Sequence, residues 1–76
     1  MKVAKLTGFG LCVKTELLRR GMSQSELESI VSRETGLFVD SGYMYKILTG
    51  QRNPEKVIAS IRKILDLPHD TSNEVR

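Results

Sequence analysis

Three glycines, each placed where an apolar pattern of helical period ends, constrain the fold of this chain more than any other feature. Gly21, Gly36 and Gly50 each follow a stretch in which apolar residues recur at helical spacing. Glycine readily adopts the left-handed backbone conformation that ends many helices. The 76 residues are therefore predicted to form an all-α fold, a compact bundle of four or five short helices.

The first two helices have recognisable ends and starts. The first is predicted to run from about Gly10 to Arg20, with cations in its last turn where the helix dipole favours them. The second opens at Ser23, which is predicted to form a capping box with Glu26. In such a box each side chain accepts a hydrogen bond from the backbone N–H of the other residue.

A short apolar connector, Leu37-Phe38-Val39, follows the second helix and is expected to tuck into the core. Asp40 or Ser41 is expected to cap the third helix. The sequence Asn53-Pro54-Glu55 predicts the start of the fourth, with its asparagine as N-cap and its proline in the first helical position. The predicted buried side chains are Leu11, Val13, Leu17 and Leu18, then Leu27, Ile30 and Val31, then Met44, Ile47 and Leu48, and finally Val57, Ile58, Ile61, Ile64 and Leu65.

The composition excludes several classes of protein. Cys12 is the only cysteine, so no disulfide can form within the chain, and Cys12 with His69 cannot supply the roughly four ligands of a zinc site. No apolar run approaches the roughly 20 residues of a membrane-spanning helix. The unpaired thiol and the lack of a secretory signal predict a cytoplasmic protein.

The sequence contains no arrangement of residues typical of catalysis. Cys12 and His69 lie far apart along the chain, so neither is expected as a nucleophile beside an aimed base. Gly8-Phe9-Gly10 lacks the third glycine and the preceding strand of a dinucleotide-binding turn. We therefore expect that the chain is not an enzyme, uses no cofactor and binds no small-molecule ligand.

The charge of the chain is unevenly distributed. The net charge is +3, and residues 1–65 contain eleven Lys or Arg against six Asp or Glu. Such a basic body suits a polyanion such as nucleic acid, because binding releases condensed counterions. A solvated surface with a modest lysine excess is the alternative. We expect one domain, residues 1–68, followed by a polar, flexible tail, residues 69–76.

Two motifs, in order, carry a resemblance to a known family. They are Gly21-Met22-Ser23-Gln24-Ser25-Glu26-Leu27 and Lys46-Ile47-Leu48-Thr49-Gly50-Gln51-Arg52-Asn53-Pro54. Both are similar to motifs of the lambda-repressor-like helix-turn-helix family, of the Cro/cI or XRE type. In that family a Gly-x-Ser-Gln-x-x-Leu stretch precedes a recognition helix that ends Lys-Ile-x-x-Gly, and Lys/Arg-Asn-Pro then opens the next helix. The resemblance covers about residues 10–67.

The resemblance implies a DNA-binding domain whose third helix enters the major groove of double-stranded DNA. At matching positions, Ser41, Gly42 and Lys46 read base edges, with Tyr45 beside them. Gln24 binds a phosphate at the N-terminus of the second helix. The full set of residues that the resemblance implies for DNA binding is Gln24, Ser41, Gly42, Tyr43, Tyr45, Lys46, Gln51, Arg52 and Asn53.

One departure from the family pattern concerns the second helix. Twelve positions separate Gln24 from Gly36, against about eight in the family, and four extra residues are about one helical turn. The second helix is therefore expected to be about one turn longer than usual, or the connector to the third helix looser. Either change would alter how far the third helix projects.

The resemblance thus implies a small, sequence-specific transcriptional regulator of the repressor type, such as phages and mobile elements encode. Ser41 and Gly42 are short, so modest specificity per monomer is expected. A weak homodimer would raise that specificity. Its expected interface is the apolar surface of the last helix, at Ile64, Leu65 and Leu67.

Alternatives remain for several of these assignments. Tyr43 and Tyr45 can serve in packing rather than in DNA contact. The whole chain can instead be a protein–protein interaction module on the same scaffold, such as an antirepressor or a factor that binds polymerase or recombinase. Exposure of Leu37 and Phe38 to solvent would favour that alternative, because an apolar surface patch suits a protein partner.

Overall fold

Four helices make up most of the chain that the computed structural model describes, residues 5–67. No β-strand occurs in this range, so the predicted all-α fold with four helices is confirmed there. The predicted tail, residues 69–76, lies outside the described residues. None of the described helices is long and apolar enough to cross a bilayer. The helices are α1 (Gly8–Arg20), α2 (Gln24–Thr35), α3 (Ser41–Leu48) and α4 (Glu55–Leu65).

The predicted caps of α2 and α3 are confirmed. The hydroxyl of Ser23 accepts a hydrogen bond from the Glu26 N–H at 3.1 Å, and Glu26 Oε1 accepts one from the Ser23 N–H at 2.9 Å. Asp40 caps α3, because its Oδ1 accepts a hydrogen bond from the Tyr43 N–H at 2.9 Å. Gly36, with φ 75°, ends α2 in the left-handed conformation. The extra residues before Gly36 therefore lengthen α2 to 12 residues.

The predicted starts of α1 and α4 are wrong by one or two residues. α1 begins at Gly8 because the Thr7 hydroxyl caps it, accepting a hydrogen bond from the Gly10 N–H at 2.9 Å. Pro54, not Asn53, is the N-cap of α4. The backbone of Pro54 is still extended, with ψ 113°, while its carbonyl already accepts the first helical hydrogen bond, from the Ile58 N–H at 2.9 Å.

The core lies between two pairs of helices, since α1 and α2 each pack against both α3 and α4. Leu11 and Leu18 of α1, which were predicted to be buried, are exposed, because α1 turns its other face, with Val13 and Leu17, inwards. Ile30, Ile58 and Ile64 are only partly buried. The buried apolar residues are Val13, Leu17, Leu27, Val31, Val39, Met44, Ile47, Leu48, Val57, Ile61 and Leu65.

Two expectations about apolar surface are also wrong. Of the connector between α2 and α3, only Val39 enters the core, whereas Leu37 and Phe38 are 43 % and 82 % exposed. Leu65 is fully buried, so it cannot take part in the expected dimer interface on α4. The neighbouring Ile64 and Leu67 pack partly against the same core. Self-association of the chain stays a prediction.

Gly10 is buried where the first turn of α1 meets the C-terminal end of α3. A Cβ atom at this position would overlap the carbonyl oxygen of Leu48 and lie 3.0 Å from its carbonyl carbon. Thr7 approaches the same carbonyl oxygen, to which its N–H and its hydroxyl donate hydrogen bonds of 3.0 and 3.2 Å. Glycine is needed at position 10 because two backbones touch there.

Gly10→Ala is expected to lower the free energy of unfolding by about 1–3 kcal/mol, because the added methyl group has to displace the backbone at Leu48. Gly8→Ala in the same helical turn is the matched control, since a Cβ atom at Gly8 meets nothing within 4 Å. Urea denaturation followed by circular dichroism measures both variants. Equal stabilities would contradict the close approach of α1 to α3.

Arg20 joins the C-terminal end of α1 to that of α4. Its guanidinium donates hydrogen bonds of 2.9 Å to Glu16 Oε1 and to the carbonyl oxygen of Leu65. Arg19 donates a bond of 2.6 Å to the other carboxylate oxygen of Glu16. The hydrogen bonds from Arg20 and then Arg19 lower the pKa of Glu16 below its ordinary value of 4.5.

Because the pKa of Glu16 is lower in the folded chain, its ionised form stabilises the fold above pH 4.5, and this contribution is lost as the pH falls through the folded-state value. Glu16→Gln is therefore expected to lower the melting temperature at neutral pH. The difference from the unsubstituted chain is expected to shrink in acid. Thermal melts over a range of pH measure this difference.

Glu34→Gln is the control for that experiment. Glu34 lies 4.0 Å from Lys63 in an exposed pair, and such pairs contribute little to stability. A melting-temperature difference for Glu16→Gln that persists unchanged into strong acid would show that the carboxylate charge is not what stabilises the end of α1.

Candidate nucleic-acid interface

One side of α3 is held in the core and the other is free. Met44, Ile47 and Leu48 are almost completely buried, as predicted. Because these side chains face inwards, four of the other five positions of the eight-residue helix face solvent. We call this exposed surface the α3 face, and its residues are Ser41, Gly42, Tyr45 and Lys46.

The two tyrosines of α3 have different environments. Tyr43 is partly buried and packs against the core cluster, in agreement with the packing alternative. Tyr45 is 48 % exposed and lies on the α3 face, next to Lys46. The structure therefore separates Tyr43 from the residues with which the sequence grouped it.

The turn that follows α3 folds back onto the end of the helix. The carbonyl oxygen of Lys46 accepts hydrogen bonds from the N–H groups of Gln51 and Arg52, at 2.7 and 3.1 Å. The Gln51 amide donates to the Thr49 hydroxyl at 2.9 Å, and that hydroxyl donates to the Tyr45 carbonyl at 2.8 Å. These bonds bring Gln51 and Arg52 beside the α3 face, and both are exposed.

Asn53 completes this exposed turn. Because Pro54 is the N-cap of α4, the Asn53 side chain has no capping role, contrary to the sequence prediction. It is exposed and forms no hydrogen bond with the residues that the structure describes. Its amide is therefore free to contact a ligand.

Gln24, like Tyr43, is a predicted site residue that the structure does not join to this group. It is the first residue of α2 and is partly buried. Its Oε1 accepts a hydrogen bond of 2.8 Å from Lys14 Nζ, and its Nε2 donates one of 2.9 Å to Glu28 Oε2. Each end of the amide thus has one partner within the fold. Sequence reasoning missed Lys14, ten residues away on α1, because no local pattern links two helices.

The charges near the α3 face are mixed but mostly basic. Lys46 and Arg52 are exposed and have no ion-pair partner within residues 5–67. Asp40 lies at the N-terminal end of the face, where its carboxylate caps the helix. A negative charge at this position also suits the helix dipole. The α3 face and the turn together present two cations without an ion-pair partner in this range, two amides and one tyrosine. The Arg52 guanidinium also donates a hydrogen bond of 3.5 Å to the Gln51 carbonyl oxygen.

The described residues contain no group of three or more His, Cys, Asp or Glu side chains that could hold a metal ion. A broad, open cleft of about 620 Å³ lies between α2 and the connector that precedes α3. Phe38 and Arg33 line this cleft. The sequence analysis assigned Arg33 to no site, and it considered Phe38 only as part of an apolar patch for a protein partner.

Comparison with known proteins identifies no relative of this chain. No protein-family model matches it, no curated protein matches it in sequence, and no solved structure matches its fold. The relation to the lambda-repressor-like family that the two sequence motifs imply therefore stays a prediction.

The cap at Asp40 can be tested without reference to function. Asp40→Ala is expected to lower the free energy of unfolding by about 1 kcal/mol, because the N–H of Tyr43 loses its acceptor. Asp40→Asn is expected to retain most of the stability, since the amide oxygen can accept the same bond. Urea denaturation compares the two variants, and equal losses would mean that the hydrogen bond to Tyr43 does not stabilise α3.

Proposed function

We propose that this chain binds double-stranded DNA and regulates transcription by occupying its site, with α3 in the major groove. The observation that carries the proposal is the division of α3 into a buried side and an exposed α3 face. A helix that enters the major groove needs an outward face of polar side chains and a rigid attachment to the rest of the domain. Both requirements are met by the eight residues of α3.

The turn after α3 supplies the contacts that would position the helix. Arg52 and Asn53 are exposed and available for bonds to phosphate oxygens, which fix the register of a protein on DNA. Lys46 adds a cation at the end of the α3 face. Neutralising phosphates with such residues releases counterions, so affinity is expected to fall as salt rises.

Gln24 and Lys14 share the phosphate contact in this proposal. Gln24 Nε2 has two donors and uses one of them on Glu28, whereas Lys14 has three donors and uses one of them on Gln24. We assign the charged contact with a phosphate at the start of α2 to Lys14. Gln24 orients the Lys14 ammonium group and keeps one N–H for the same phosphate.

The proposed function is tested by fluorescence anisotropy with a labelled random duplex at several salt concentrations. Lys46→Ala is expected to weaken binding and to reduce the slope of log affinity against log salt by about one. Adding Tyr45→Ala should weaken binding further without loss of helicity. Both side chains are exposed, so folding should not suffer.

Lys56→Ala is the matched control, because it removes the same charge from an exposed position in the first turn of α4, outside the α3 face and the turn. Its salt slope is expected to equal that of the unsubstituted chain. Equal effects of Lys46→Ala and Lys56→Ala would mean that only net charge matters and that α3 is not the bound face. If the folded chain binds no DNA at low salt, the proposed DNA-binding function is wrong.

The second candidate function is a protein–protein interaction module on the same scaffold. The exposure of Leu37 and Phe38 is the specific observation in its favour. In that case Phe38→Ala would abolish association with a protein partner, and the duplex experiment would show no binding. The basic character of residues 1–65 favours DNA over this candidate.

A further inference from the structure

Phe38 is an exposed aromatic ring on a well-held backbone. The ring is 82 % exposed, although the next residue, Val39, is buried. The Val39 N–H donates a hydrogen bond of 3.1 Å to the Ser32 hydroxyl. On the other side of the ring, the Leu37 N–H donates one of 3.1 Å to the Thr35 hydroxyl. Because α2 holds the backbone on both sides, the place at which the Phe38 ring leaves the backbone is fixed, and the ring itself lies in solvent.

Phe38 lies next to the N-terminal end of α3, which enters the major groove in the proposed function. Phe38 precedes the N-cap Asp40 by two residues, and the α3 face begins at Ser41. In the major groove the first turn of such a helix lies nearest to the base edges. Ser41 and Gly42 have side chains too short to make many contacts with bases. A ring at this end can therefore enlarge the surface of the protein that contacts base edges.

The charged groups that line the cleft beside Phe38 are two carboxylates and one guanidinium. The carboxylates of Glu28 and Asp40 accept hydrogen bonds inside the fold, from the Gln24 amide and the Tyr43 N–H, but a hydrogen bond does not remove the charge of a carboxylate. Arg33, on the same cleft, has no ion-pair partner within residues 5–67. Because one guanidinium does not outweigh two carboxylates, no phosphate contact is assigned to this cleft, and the contact with a ligand is assigned to the ring.

The apolar area at Phe38 is too small for the centre of a protein interface. One aromatic side chain buries about 150–250 Å², whereas a standard interface buries about 800 Å² on each partner. The neighbouring Leu37, which is 43 % exposed, adds too little to close this difference. The rest of the cleft wall includes Ser29 and Ser32, which are polar. A small apolar patch beside polar groups matches instead the one apolar group in the major groove, the C5 methyl of thymine.

We propose that Phe38 contacts a thymine methyl group at the edge of the site bound by α3. The inference rests on the proposed function, because it requires α3 to lie in the major groove. The chain would then prefer A·T pairs at the position that the ring reaches. Sequence preference would come from the connector as well as from the α3 face.

The test uses a duplex selected from a random pool by the unsubstituted chain, in which single thymines are replaced by deoxyuridine to remove only the methyl group. At one position this replacement is expected to weaken binding about fourfold, the effect of exposing one methyl-sized group. Phe38→Ala should weaken binding to the thymine duplex by a similar factor. Deoxyuridine should then have no further effect on that variant.

Leu18→Ala is the matched control, because Leu18 is an equally exposed apolar side chain, at 83 %, on α1. Its affinity and its response to deoxyuridine should equal those of the unsubstituted chain. Phe38→Leu is a second variant that keeps an apolar side chain and should retain part of the thymine effect. Thermal melting checks that every variant is folded, which the exposure of Phe38 leads us to expect.

Several results would overturn the inference while leaving the proposed function intact. One is a selected pool without enriched thymine, and another is a deoxyuridine effect that persists in Phe38→Ala. A third is an unchanged DNA affinity of Phe38→Ala together with a loss of self-association in sedimentation, which would make the ring part of a protein interface. Failure of the unsubstituted chain to bind any duplex would instead reject the proposed function and this inference together.

Discussion

The carbonyl oxygen of Leu48, at the last residue of α3, fixes the geometry on which the rest of the structure depends. It accepts hydrogen bonds from the N–H and the hydroxyl of Thr7, and Gly10 lets the backbone of α1 come against it. An eight-residue helix is too short to be stable alone in water, so its direction has to come from its neighbours. Anchoring at this one end leaves the α3 face and the N-terminal end of α3 open to a ligand.

Polar contacts between helix ends orient the helices, which the small core cannot do alone. A domain of this size buries only about 60 % of its unfolded surface, so single hydrogen bonds count for more than in a large protein. Arg20 links α1 to the last carbonyl of α4, and Lys14 links α1 to Gln24 at the start of α2. These contacts orient the helices, while apolar burial supplies most of the stability.

Caps and helix ends, which depend on a few neighbouring residues, could be predicted from the sequence. Buried faces and contacts that depend on the packing of one helix against another could not. Gly36 and the capping box at Ser23 act within a few residues, so their patterns are reliable. Leu11 and Leu18 fit a helical period as well as Val13 does, and only the packing of α1 against α3 and α4 decides which face is buried. In the same way, the exposure of the α3 face could be predicted from the buried residues of α3, but the pairing of Gln24 with Lys14 could not.

The length of α2 and the exposure of Phe38 have a common cause. Ser32 and Thr35, in the last turn of α2, supply the hydroxyl groups that accept hydrogen bonds from the connector. A helix ending one turn earlier would lack both acceptors, and the connector would have to satisfy its N–H groups elsewhere. Because the hydroxyls fix the backbone while Val39 enters the core, Phe38 has no core space left to occupy. The extra turn thus positions the ring at the start of α3, where a side chain that reaches beyond Ser41 changes the surface most.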